Sequence, residues 1–377
     1  MLPHAELGTS WRAARPLMAG SHLDSAACSR QSLRVLDAVA AHARHEAEIG
    51  GYVAEAAASP VLLQGRAALG ALVGLAVADV AFVESATVAL PLLLAALPLP
   101  PSPVVAVVPG EWGPNLAALG DRGMRVVHLP VDGWGRVDVE ALDGALSAAR
   151  PDLVHLTLVH SHRGVLQPGA AMAAACARAG VPLVVDLAQA VGHTACDIGA
   201  DAVYGTSRKW LAGPRGVGFL GVRPALARRL RPVAPAFAEA MLPGLSVVER
   251  MGSQEAHVAG RVGLSLALGE HLAAGPDRVL ARLAGLGRHA RAVLDGAGGW
   301  SVADPADEPV AIVTLRPPEG VDVAANRARL LAEGIVTTAA LPARAPGELR
   351  APVLRVSPHV DATEDEFEAL ARALAAG

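Results

Sequence analysis

The sequence predicts an α/β chain in two domains: a large one with a mostly parallel sheet between helices, and a smaller α+β domain at the C-terminus. Three observations carry this. The 377 residues are about twice the usual length of one domain. Short valine- or leucine-rich runs alternate with helical segments at α/β spacing. Beyond Gly252 the pattern turns helical to about residue 296 and then strand-like again. The expected division is a large domain over 20–275 and a small domain over 276–377 joined by 1–19.

Taken in order, 67–76 reads as a helix and 79–83 as the first core strand. Residues 85–110 carry no charge and are long enough to cross a bilayer, but Pro91, Pro98, Pro100, Pro101 and Pro103 would break one helix. The expectation there is a helix near 86–97, a Pro-rich turn and a strand at 104–108. Helices follow at 114–122, 138–149 and 169–179, and strands at 153–159, 181–185 and 201–206. Gly213–Gly218 reads as a loop. In the small domain, 309–315 and 352–356 read as strands, and Asp361-Ala-Thr-Glu opens the last helix.

Composition narrows the function. A chain that is 52% hydrophobic and 18% charged is an ordinary globular one. A net charge of -4 without a basic run gives no electrostatic footprint for nucleic acid or an anionic membrane, so the expected partner is a small molecule. Cys28, Cys176 and Cys196 stand far apart in no disulfide or CxxC spacing, and the N-terminus has no basic, apolar leader. A cytoplasmic location is expected.

The 32 basic residues comprise 31 arginines and one lysine, Lys209. Arginine serves wherever a positive charge suffices, but its guanidinium stays protonated and is no amine nucleophile. A desolvated lysine can attack an aldehyde and later shuttle a proton, which is what pyridoxal phosphate chemistry asks. The competing reading is a coding bias that left one lysine by chance. Position favours chemistry: Lys209 lies just past the strand 201–206, at the sheet edge where α/β active sites sit.

Asp186 ends the strand 181–186, 23 residues before the lysine. A carboxylate there would keep a pyridinium nitrogen protonated, although capping the next turn is the alternative role. Gln189 and His193 follow within reach of a cofactor's phenolic oxygen; His193 is equally a turn residue. Glu84-Ser-Ala-Thr87 joins a strand to an apolar helix, so its backbone N–H groups and the Thr87 hydroxyl can cradle a phosphate, with Ser207 adding a donor. A simple helix cap explains that joint as well.

With these residues in view, the chain resembles the class V branch of the fold-type I pyridoxal-phosphate enzymes, and within it the hercynylcysteine sulfoxide lyases of ergothioneine biosynthesis. The resemblance spans most of the chain, through Leu23–Arg30, Ala43–Tyr52, Pro109–Asn115, Ser161–Gly164 and Ser207–Gly216. It implies the fold-type I transferase fold, with pyridoxal 5'-phosphate held by Lys209 as a Schiff base and Asp186 on the pyridine nitrogen. Gln189 would meet the phenolic oxygen and Trp112 would cover the ring. Ser207, Thr87 and the turn at Ala86 would hold the phosphate, with Ser253 reaching in from a neighbouring subunit of a homodimer with shared active sites. Arg355 would take the substrate α-carboxylate, with Arg30, His45 and Ser161 as further substrate contacts. Three departures touch the site: Ser85 and Ala86 replace the usual phosphate-turn glycine and serine, Ser161 replaces an asparagine, and Arg208 replaces the histidine before the lysine.

The implied reaction is β-elimination from a cysteine sulfoxide conjugate. A cysteine desulfurase needs a mobile C-terminal cysteine, yet none follows Cys196 and Gly334–Pro342 is cysteine-free. An aminotransferase shares the first carbanion and stays open. A metal protein, built from His42, His45 and Glu46 or from His155, His160 and His162, lacks a third ligand cluster at fixed spacing, so no metal is expected. With aromatic residues at 3%, Trp112 and Tyr52 are the few candidates to face a quaternary ammonium.

Overall fold

The computed structural model describes residues 3–231, 233, 244–252 and 255–376. Its centre is a seven-stranded sheet built from β2 (Val80–Val83), β3 (Val104–Val107), β4 (Arg125–His128), β5 (Leu153–Thr157), β6 (Leu183–Asp186), β7 (Ala202–Thr206) and β8 (Gly218–Val222). The spatial order is β2-β8-β7-β6-β5-β3-β4. Only β8 runs against its neighbours; β7, β6, β5, β3 and β4 pair in parallel. The expected α/β class with a mostly parallel sheet is therefore observed.

Both faces of this sheet are covered, so its strands are apolar almost throughout. Alternate residues feed two cores. Ala81, Val83, Val105, Val107 and Val184 pack with the helix Ala86–Ala96 on one face. Phe82, Ala106, Val154, Leu156 and Val185 pack on the other with residues of the helices Val139–Ala149, Gly169–Ala179 and Val258–Ala274. Ser85 caps the helix Ala86–Ala96, its hydroxyl accepting from the Val88 N–H at 3.2 Å.

A second, antiparallel sheet has the order β12-β13-β10-β9, with β9 (Ser301–Val302), β10 (Val313–Arg316), β12 (Thr338–Ala340) and β13 (Val353–Val356). The N-terminal segment joins it: β1 (Ser21–His22) pairs in parallel with β11 (Ile335–Val336), and Asp24 bridges to Ser357. The closing helix Glu364–Ala375 carries the anticipated capping box, between Thr363 and Glu366.

Several expectations need correction. The segment read as a helix over 67–76 is the end of a longer one, Gly51–Val73. β4 and β12 were not anticipated, because each is a short edge strand flanked by charge or alanine. β8 was not anticipated either, since Gly213–Gly218 reads as a loop up to the strand's first residue. The uncharged stretch 85–110 is a helix, a turn and β3, as its prolines require. Gly51–Val73 is long and apolar enough to cross a membrane, by length and composition only.

Candidate active site

A cavity of about 300 Å³ opens at the C-terminal ends of β5, β6 and β7, lined among others by Ser161, Asp186, Gln189, Arg208, Lys209 and Arg344. Parallel strands bring their last residues to one edge, which explains why positions far apart in sequence converge here. Lys209 follows β7 in a tight turn whose Ala212 N–H donates to the Lys209 carbonyl at 2.9 Å, with Ala212 itself at φ 52°. Gly213 follows, where a Cβ would displace the Ser207 hydroxyl.

Lys209 is half-buried in the cavity lining. Burial lowers its pKa to about 7; Asp186 opposes this, and Arg208, Arg355 and Arg344 reinforce it. A large fraction of the amine is therefore unprotonated near neutrality, the state a nucleophile or base needs. Asp186 accepts the Ala188 N–H at 2.7 Å on Oδ1 and Asn115 Nδ2 at 2.9 Å on Oδ2. Burial raises its pKa, with the Glu111 charge adding to it, against the lowering pull of Asn115, Lys209 and the Ala188 N–H. A cationic ring nitrogen beside it would remove that cost.

Gln189 lines the cavity with its amide oriented from behind: Oε1 accepts from Trp210 Nε1 at 2.9 Å and Nε2 donates to the Ala26 carbonyl at 2.9 Å. One amide hydrogen remains for a ligand oxygen. Ser85, Ala86 and Thr87 place the first turn of Ala86–Ala96 at the cavity, and Trp112 lines it too. Gly218 lets β8 pass this turn, since a Cβ there would lie 2.7 Å from Ser85. Ser161 Oγ in the lining is buried without a hydrogen-bond partner, as is Ser207 Oγ, which lies outside the lining. An orphaned hydroxyl, a helix N-terminus, a neutralisable lysine and a buried carboxylate together fit a phosphorylated pyridine aldehyde.

Other expected residues fall elsewhere. His193 turns its ring away: Nδ1 meets the Gln189 carbonyl at 2.7 Å, Nε2 accepts the Ala311 N–H at 2.7 Å, and the ring stacks on Trp210 at 3.7 Å. It is a packing residue behind Gln189, outside the cavity lining. Arg30 pairs with Asp361 at 3.2 Å in a separate hollow beside Leu17 and His22. His45 is a half-buried residue of the helix Leu33–Ile49, 3.8 Å from Glu48 and outside the cavity lining. Tyr52 is exposed and bonded to Glu255 at 3.0 Å. Ser253 lies outside the described residues. Arg355 is fully buried and engaged, donating to the Ser161 carbonyl at 2.8 Å and pairing with Asp24 at 3.1 Å.

Three groups escaped the sequence reading. Arg344, on the single turn Pro342–Arg344, reaches the cavity, and its Nε has no hydrogen-bond partner. Glu348 supplies the third member that His160 and His162 lacked, lying 3.9 Å and 3.5 Å from them. Arg163, 2.7 Å from the same carboxylate, already balances its charge, so the cluster anchors the loop that carries Ser161. The third is the network of Glu111, Asn115, His155 and Tyr204 around Asp186. Its signal was present in the strand Leu153–Thr157, where His155 and Thr157 alternate with apolar residues on one face.

This arrangement defines a member of the class V aminotransferase family: the Aminotransferase class-V family matches residues 21–370, and the chain belongs to it. Pyridoxal phosphate is that family's cofactor. Among curated relatives, the chain is 55% identical over 371 residues, 98% of its length and 93% of the relative's, to a "Probable hercynylcysteine sulfoxide lyase" of Mycobacterium tuberculosis. It is 28% identical, over 84% of each chain, to an isopenicillin N epimerase of Streptomyces clavuligerus. Among solved structures, the apo cysteine desulfurase of Thermococcus onnurineus superposes with a TM-score of 0.85 at 18% identity, covering 100% of this chain and 98% of that one. That likeness speaks for the fold.

Proposed function

We propose that the chain is a pyridoxal-phosphate-dependent carbon–sulfur lyase that cleaves hercynylcysteine sulfoxide by β-elimination. The products are pyruvate, ammonia and, after a thiol reduces the sulfenic acid, ergothioneine. The observation that carries this reading is the 55% identity over 98% of the chain to the mycobacterial relative. The site supports it.

The bound cofactor supplies the electron sink that acidifies the substrate Cα. Asp186 holds a proton at the ring nitrogen. The Lys209 amine takes the Cα proton, which its pKa of about 7 allows near neutrality. The Cβ–S bond then breaks with both electrons going to sulfur, which departs as a sulfenate; with water, the three-carbon remainder becomes pyruvate and ammonia. Two thiols reduce the sulfenic acid and become a disulfide.

Two carboxylates distinguish this substrate, one on the cysteine and one on the trimethylated histidine. Arg344, which lines the cavity, suits the second, as guanidinium groups pair well with carboxylates; Arg355 would take the first only by exchanging its Asp24 partner. Arg344 comes from the segment after β12, close to where a desulfurase would carry its sulfur-accepting cysteine; here no cysteine follows Cys196.

Assembly as a homodimer belongs to the same proposal. Leu36, Ile49, Tyr52, Val53 and Leu63 are exposed on the helices Leu33–Ile49 and Gly51–Val73, an apolar surface suited to a second copy. Light scattering at twice the monomer mass would agree with it. For the reaction, pyruvate and ergothioneine should form in equal amounts with no keto acid added. Turnover that requires a keto-acid acceptor would instead make the protein an aminotransferase.

A further inference from the structure

Behind Asp186 lies a second carboxylate that the steps above do not use. Glu111 is fully buried. Its Oε1 accepts from the Trp112 N–H at 2.8 Å, Asn115 Nδ2 at 2.9 Å and Thr157 Oγ1 at 2.5 Å. Its Oε2 meets His155 Nδ1 at 3.0 Å, and His155 Nε2 meets the Tyr204 hydroxyl at 2.8 Å. Asn115 Nδ2 also donates to Asp186, so one amide nitrogen bridges both carboxylates. Strand register makes this possible: Thr157, Asp186 and Tyr204 stand side by side across β5, β6 and β7 and share one face.

Charge within the network is settled by its neighbours. Burial would raise Glu111, but His155 and the bonds from His155, Thr157 and Asn115 bring its pKa down to about 2. Burial would lower His155, yet the Glu111 charge outweighs it and the imidazole is raised. The pair is then carboxylate and imidazolium, with both imidazolium nitrogens donating. Tyr204 thus accepts from His155 and keeps its own hydrogen, since burial, Asp186 and Glu111 all push its pKa well above the ordinary value. That hydrogen is free to point at Asp186, its neighbour in register. Burying a carboxylate costs several kcal/mol, and apolar packing would serve stability as well.

We propose that Glu111, His155, Tyr204 and Asn115 are positioning residues: through the Asn115 amide that bridges both carboxylates, and through Tyr204 beside Asp186 in register, they hold the Asp186 carboxylate in place to meet the ring nitrogen of the cofactor. The inference rests on the cofactor reading and not on the substrate.

The test uses full-length enzyme loaded with pyridoxal phosphate labelled with ¹⁵N in the ring, without substrate. Glu111→Gln keeps the shape and removes the charge; Tyr204→Phe removes one hydroxyl. Both should move the ring-nitrogen resonance toward the unprotonated position, weaken cofactor binding about tenfold, and lower kcat about 10-fold or more with KM within about threefold. Variants that melt like the wild type and leave the resonance unchanged would overturn the proposal, as would a rise in KM alone. Should Glu111→Gln fail to fold, Tyr204→Phe decides. A wild type that loads cofactor but does not turn over the sulfoxide counts against the substrate only, and the resonance comparison still stands.

Discussion

The two walls of the cavity differ in how far their polar groups are satisfied. On the carboxylate wall, Asp186, Glu111, Asn115, Thr157, His155 and Tyr204 all hold hydrogen bonds within the protein. On the basic wall, Arg344 Nε and Ser161 Oγ are buried without a partner. A saturated network rigidifies what it contains, whereas an orphaned buried donor costs energy until something binds it. One wall positions; the other waits for anions.

From that contrast, the largest effect after loss of the lysine belongs to the saturated wall. Asp186→Asn keeps the packing but removes the charge, and kcat should fall about 100-fold, the scale of losing a buried electrostatic stabiliser. Steady-state kinetics on cofactor-loaded variant checks this. Arg344→Met should act differently: KM for the sulfoxide rises about tenfold, with kcat little changed, because a charge-assisted contact made equally in ground and transition states is lost. A cysteine sulfoxide without a second carboxylate should be insensitive to the same change, which sharpens the assignment.

A pH experiment separates the walls again. Only the unprotonated Lys209 amine can capture the aldehyde, and its pKa is lowered to about 7. Stopped-flow loading of apoprotein should therefore rise with pH up to about 7 and then level off, whereas an unperturbed lysine would keep rising toward 10. The smallest effect is expected at His45, where replacement by alanine should change KM by less than about twofold, because the residue lies outside the cavity lining.

Lys209 and Asp186 were legible because Asp186 ends β6, Lys209 lies just past β7, and each has a chemistry that its sequence neighbours cannot supply. Gln189, Trp112 and Ser161 also reach the cavity as anticipated. His193 was misjudged because helical reach was assumed where the chain turns, at Gly192 with φ 79°, and tucks the ring under Trp210. Arg30 and His45 lay in persuasive motifs, yet spacing cannot say which way a side chain faces. Arg344 was illegible for the opposite reason: a single helical turn after β12 carries it across the cavity, and nothing local marks it among 31 arginines. Most of the central sheet was readable from valine runs. β4 and β8 were not, because a charged edge strand and a glycine-led antiparallel strand lack that pattern.

The central claim is that the one lysine of this chain drives cleavage of the carbon–sulfur bond. Mass-spectrometric product analysis of cofactor-loaded enzyme with hercynylcysteine sulfoxide and a thiol tests it most directly, beside Lys209→Ala. The account predicts ergothioneine and pyruvate appearing together, with a loss of at least about 1,000-fold in the variant. Products that persist undiminished in Lys209→Ala, or a loaded wild type that leaves the sulfoxide intact, would contradict it.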